Sequence, residues 1–274
     1  MTPQLVPVSR CAPSVLLTLK GKLDDFYAKV TDYSAFATPS DQVHCWQHIA
    51  DHIKARARSS GKVRVLEVGA GMSGFGKFLS DQNLRDQCTW VVQDVTSQNR
   101  TWLELNADEV HIGEVDSAAL VGDFDIVFST FVLEHVVNPQ AHLNALAQLV
   151  KRRKGTIFIF CPRYDVPGYA TPSSRHLATS RRLRFMGQGL FSRLATLLTG
   201  SPAFLVQTDL AAFHQPFFTD ADAVHWASVF DLKSWARSHK ASSRSLKLGN
   251  PRFPSKDWVV KRMLTIGIAI TFDR

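Results

Sequence analysis

The chain predicts an α/β fold, a mostly parallel sheet with helices on both faces. Three observations carry this. Short apolar runs alternate with helical spacings from about residue 43 to 162. One run, Val63 to Val68, opens at once into Gly69, Gly71, Gly74 and Gly76. Two β-type runs close the chain. Val63–Val68 has the near-continuous apolar character of a parallel strand buried on both faces. The glycines after it suit a tight turn whose backbone approaches a ligand. Phe75, Phe78 and Leu79 then fall at helical spacing, so a helix N-terminus would aim its free N–H groups into that turn. This is a nucleotide-type cofactor loop.

The remaining elements follow in order. Trp90–Asp94 reads as a second strand ending in a carboxylate, suited to accept ribose hydroxyls. Glu109–Glu114 is a short strand with an acidic end. Phe124–Ser129 is a fourth, followed by Thr130-Phe-Val-Leu-Glu-His-Val136. Leu143, Leu146, Leu149 and Val150 mark a helix over 141–150, and Gly155–Phe160 a fifth strand. Upstream, Leu16, Leu19, Leu23, Phe26 and Val30 form an apolar stripe, and a helix capped by Ser40 or Asp41 runs to about Arg58 with Trp46, Ile49 and Ile53 inward. Beyond Pro162, Leu183, Met186, Leu190, Leu194 and Leu197 share a helical face amid Arg181, Arg182, Arg184 and Arg193. A helix over 220–238 and strands at Ser243–Leu248 and Met263–Phe272 complete the reading.

The Gly69-x-Gly71-x-x-Gly74 spacing also satisfies a dinucleotide fingerprint. Glu67 argues for S-adenosylmethionine instead, since its carboxylate attracts a cationic methionine end and repels a pyrophosphate. Taken together, the Glu67-x-Gly69-x-Gly71 loop, Asp94, Gly113-Glu114, Phe124-Asp125, Leu133-Glu134-His135-Val136 and the basic turn Lys151–Gly155 make the sequence resemble the class I S-adenosylmethionine-dependent methyltransferases. The likeness is to their type 11 small-molecule group, over roughly residues 40–162.

That resemblance implies a Rossmann-like seven-stranded sheet with an inserted helical lid. It implies Glu67, Gly69, Gly71 and Gly74 at the methionine end and Asp94 at the ribose. Glu114 and Val115 would flank the adenine, and Ser129 and Thr130 would lie beneath the sulfonium. Glu114 reads equally as a solvated loop acid. Four segments are expected: an N-terminal helical lid, 1–58; the cofactor core, 59–162; a basic acceptor or lid insertion, 163–240; and terminal strands, 241–274.

The apolar fraction of 45% is ample for a core. No stretch approaches the roughly 20 apolar residues of a membrane span, and Val15–Leu19 is too short for a signal peptide. Cys11, Cys45, Cys88 and Cys161 lie far apart, against a zinc site or disulfide framework and in favour of a reduced, cytoplasmic protein.

Residues 1–162 carry 16 basic against 17 acidic side chains, net −1; residues 163–274 carry 16 against 7, net +9. The positive excess suggests an anionic acceptor, an anionic membrane surface or nucleic acid, or else a solvated basic surface. The basic helix near 183–197 reads as a lid over the acceptor, or as a membrane-surface helix.

Methyl transfer at a sulfonium carbon needs chiefly alignment and a dry site. A hydroxyl acceptor adds a general base, for which His135 and His176 are candidates; His135 also reads as a structural histidine. His214, Asp220, Asp222 and His225 form a polar cluster without metal-site spacing. The function expected is methyl transfer to a small-molecule or glycan-like acceptor at oxygen. A nicotinamide oxidoreductase lacks its Tyr-x-x-x-Lys pair here, and a non-enzymatic binding module would not need the intact loop. Nucleic-acid methylation lacks the Asn-Pro-Pro-aromatic run.

Overall fold

The computed structural model describes residues 4–30, 42–116, 120, 123–209 and 222–272. Its centre is a seven-stranded sheet in the order β4-β3-β2-β5-β6-β9-β8. These strands are β2 (Val63–Val68), β3 (Cys88–Asp94), β4 (Glu109–Ile112), β5 (Ile126–Thr130), β6 (Thr156–Pro162), β8 (Ser242–Ser245) and β9 (Thr265–Thr271). β2 to β6 run parallel; β9 is antiparallel to both β6 and β8. The terminal strands are shorter than the sequence suggests, because Met263 belongs to a single π-helical turn, Val260–Leu264, that precedes β9.

Alternation along the strands splits the core in two. Leu66, Val68, Val91, Val127, Ile157 and Ile159 face one side, against Leu143, Leu146 and Val150 of helix α5 (Pro139–Lys151) and Leu232 and Trp235 of α7 (Val229–Ser238). Val63, Val65, Trp90, Val92, Phe128 and Phe158 face the other. There they meet Trp46, Ile49 and Ile53 of α2 (Val43–Ser60) and Phe75, Phe78 and Leu79 of α3 (Phe75–Asp81). The short helix α4 (Arg100–Asn106) links β3 to β4. Asn138 starts α5 by accepting the Ala141 N–H on its side chain.

The N-terminal segment is woven into the later chain. Strand β1 (Leu5–Pro7) pairs antiparallel with β7 (Leu205–Gln207), and Leu19 and Leu23 of α1 (Pro13–Tyr27) share one core with Trp226 and Leu232. β1 and α1 therefore pack with the described part of 163–240, whereas α2 packs on the other face of the sheet.

Two expectations need correction. Helix α7 begins at Val229, capped by the Ser228 hydroxyl; residues 223–227 are extended instead, held by Val224 N–H and His225 N–H donating to the Glu134 carbonyl at 2.8 Å. In α6 (Thr179–Thr199) the buried seam is Phe185, Gly189, Arg193 and Thr196, and the leucine stripe points outward. Helix α2 follows Gln42; the expected caps, Ser40 and Asp41, lie outside the described residues.

Candidate active site

A cavity of about 950 Å³ opens at the C-terminal ends of β2, β3, β4 and β5, where the strand order reverses. Ligands of open α/β sheets bind at such a switch point. Glu67, Gly69, Gly71, Asp94, Glu114, Val115 and Thr130 all line it, as does His135. α1 contributes Leu16, Lys20, Leu23 and Tyr27 over the top.

The glycine turn is built by its neighbours as much as for a ligand. Gly69 has φ +65°, and a Cβ there would stand 2.5 Å from Val132 Cγ2. Gly71, at φ +54°, donates its N–H to Asp94 Oδ2 at 2.7 Å. Asp94 Oδ1 accepts the Thr96 N–H at 2.9 Å. One carboxylate thus ties the turn after β2 to the end of β3. Burial pushes the Asp94 carboxyl upward against these bonds.

Glu67 is buried and accepts the Trp90 indole N–H at 3.1 Å. Its pKa is raised from 4.5 to about 8 because burial removes water from the carboxylate, and this outweighs the hydrogen bonds from Ser73 and Trp90. Glu114 is half exposed and pairs with Lys20 at 2.8 Å, joining α1 to the loop after β4.

Beyond β5 the chain turns sharply. Phe131 has φ +58°, a conformation that a non-glycine residue adopts under constraint and that marks functional turns. The 3₁₀ turn Leu133–His135 follows. His135 Nδ1 lies 3.0 Å from Asp222 Oδ2, and the same oxygen accepts the Tyr27 hydroxyl at 2.7 Å. Burial would raise the Asp222 carboxyl, but the charge of His135 and the bonds from His135 and Tyr27 hold it below its ordinary value. All three line the cavity. Beside them His142 lines the wall, its pKa pushed down to about 4 by burial, so it is neutral near pH 7.

Three expected site residues stand apart. Gly74 precedes α3 at an ordinary φ of −85° and does not line the cavity; its carbonyl starts the helix instead. Ser129 is fully buried within β5, one residue out of phase with the wall that Thr130 presents. His176 is tied to Asp209 by its Nε2, away from the cavity. Within the polar cluster, His225 is buried with Nδ1 3.0 Å from the Leu133 carbonyl; His214 and Asp220 lie outside the described residues. Among those described, no group of His, Cys, Asp and Glu is placed to hold a metal. Tyr27 and His142 escape a sequence reading because neither sits in a motif: one ends α1 and the other lies one turn into α5.

No protein-family model and no curated protein sequence matches the chain. Solved structures do. The plantazolicin methyltransferase BpumL, in complex with a pentazolic desmethylPZN analog and SAH, superposes at TM-score 0.56 with 8% identity, over 96% of this chain and 100% of its own. This is the class I methyltransferase fold. The plantazolicin methyltransferase BamL, with a triazolic analog and SAH, follows at 0.53 and 13% identity, covering 95% and 98%. The CurJ carbon methyltransferase matches at 0.54 and 10%, covering 95% of this chain and 67% of its own.

Proposed function

We propose that the chain is an S-adenosylmethionine-dependent methyltransferase acting on a small-molecule or glycan-like acceptor, at a hydroxyl oxygen. One observation carries this reading: a single cavity joins the Gly69–Gly71 turn, Asp94 and Val115 to the Tyr27–Asp222–His135 cluster. Its volume is at the upper end of the roughly 300–1,000 Å³ typical of small-molecule sites, so cofactor and acceptor fit together. The SAH in the BpumL and BamL structures supports the same choice of cofactor.

When bound, S-adenosylmethionine supplies a methyl group already activated on a sulfonium. The protein's residues do the rest. Glu67 would face the cationic end, Asp94 would offer carboxylate oxygens to the ribose, and Val115 and Glu114 would border the adenine. Thr130 Oγ1, buried and without a hydrogen-bond partner among the described residues, closes the floor. His135 Nδ1 stands 3.0 Å from Asp222 Oδ2 and Nε2 stands 3.8 Å from Glu134 Oε1. In this reading the Asp222 carboxylate orients the imidazole as the base that would take the acceptor's proton, the logic of a base held by a carboxylate. Helix α1 covers part of the cavity with Leu16, Lys20, Leu23 and Tyr27. CurJ is a carbon methyltransferase, so the hydroxyl reading rests on the His135–Asp222 pair rather than on the fold.

A thermal-shift comparison tests the cofactor. At a hundredfold excess over its dissociation constant a ligand adds about 2.7 kcal/mol, or roughly 5–10 °C for a domain of this size. SAH should produce that rise and NADH none. The reverse result would favour the nicotinamide oxidoreductase.

A further inference from the structure

Helix α6 is amphipathic in an inverted sense. Its buried seam, Phe185, Gly189, Arg193 and Thr196, holds the helix to the protein, with Arg193 sunk beside Asp165 and Asp231. On the opposite side Leu183, Leu190, Phe191, Leu194, Leu197 and Leu198 are 47–88% exposed. Single exposed apolar side chains need no explanation, but six on one helix face mark an interaction surface.

The charge around that face is of one sign. From residue 166 to 208 the sequence has five arginines and no Asp or Glu. Arg181, Arg182 and Arg184 occupy the first two turns of α6, at the positive end of the helix dipole, where cations disfavour the helix. There is no acidic residue in the first turn and no side-chain cap to offset them. Such a placement suits an external anion. A second copy of the chain would bring the same arginines and no acidic partner on this helix.

We infer that α6 docks on an anionic lipid surface, with the leucine face entering the headgroup–acyl boundary and the arginines meeting lipid phosphates. Leu190 and Met186 border a small groove whose wall includes Tyr169. Tyr169 also lines the large cavity. Docking therefore brings the proposed acceptor cavity close to the bilayer.

Vesicle flotation tests this independently of the catalytic reading. The full chain should float with vesicles of equal parts phosphatidylglycerol and phosphatidylcholine, and stay behind with phosphatidylcholine alone. Raising the salt should release it. Replacing Arg181, Arg182 and Arg184 by Gln should weaken the partition on the order of 100-fold, since each basic side chain near such a surface contributes about fivefold. Leu194→Ser with Leu198→Ser, both exposed and so not needed for the core, should abolish flotation while leaving the circular dichroism unchanged. No flotation with anionic vesicles, or equal flotation with neutral ones, would overturn the inference. So would a stable wild-type dimer in size-exclusion chromatography that these two serines convert to monomer, which would assign the face to a second copy.

Discussion

If Glu67 holds the cationic end of the cofactor as proposed, the empty and loaded protein should differ in protonation. With a pKa of about 8, the side chain is about nine-tenths protonated at pH 7. A cationic ligand end in the cavity favours the carboxylate, so binding S-adenosylmethionine should expel close to one proton. The affinity should then rise about tenfold from pH 6 to 7, because the ionised fraction rises tenfold per unit below the pKa. Isothermal calorimetry at pH 7 in phosphate and in Tris reads this directly, through the dependence of the heat on buffer ionisation. Glu67→Gln should flatten both the buffer dependence and the pH profile. The same shift has a stability consequence of opposite sense. The folded pKa lies above the unfolded value, so the folded state binds the extra proton between about pH 4.5 and 8. Unfolding free energy should fall as pH rises through that window, by on the order of 4–5 kcal/mol at most, and Glu67→Gln should remove the fall. A binding heat independent of the buffer, with a flat pH profile in the wild type, would refute the reasoning.

Asp94→Ala leaves the Gly71 and Thr96 N–H groups without their acceptor. S-adenosylmethionine affinity should drop at least about tenfold, from charge-assisted bonds of about 1.5–3 kcal/mol each; unchanged affinity in a folded variant would remove Asp94 from the site. Gly69→Ala should cost about 1–3 kcal/mol in denaturant melts through its clash with Val132, and Val132→Ala in the same chain should recover part of it. If Gly69→Ala is as stable as wild type, the packing account of that glycine fails. His135→Ala and Asp222→Asn should each lower turnover about 10²–10⁴-fold with little change in SAH affinity, whereas His176→Ala should stay near wild type. Near-normal rates in the first two would leave catalysis to positioning alone.

The parallel sheet was legible in the sequence because strands buried on both faces must be largely apolar, as Thr156–Pro162 is and as Val63–Val68 is apart from Arg64 and Glu67. The tight turn after β2 was legible because glycine is the residue that takes positive φ, as Gly69 and Gly71 do. Periodicity failed where both faces of a helix carry apolar residues. In α6 the leucine stripe has the stronger pattern, yet Phe185 and the small Gly189 let the helix sit close to Trp226. The spacing of Val224 and Ala227 resembled a helix, but these residues belong to an extended segment fixed by the Glu134 carbonyl, ninety residues away in sequence. The Tyr27–Asp222–His135 cluster has the same origin. Its members come from three distant segments and share no local pattern, so only the fold brings them together.

The central claim is tested most directly by a crystal structure grown with SAH. The account predicts ligand density along Glu67, Gly69, Gly71 and Val115, with both ribose hydroxyls within hydrogen-bond reach of the Asp94 carboxylate and the sulfur facing His135. Density elsewhere, or a ribose away from Asp94, would contradict it.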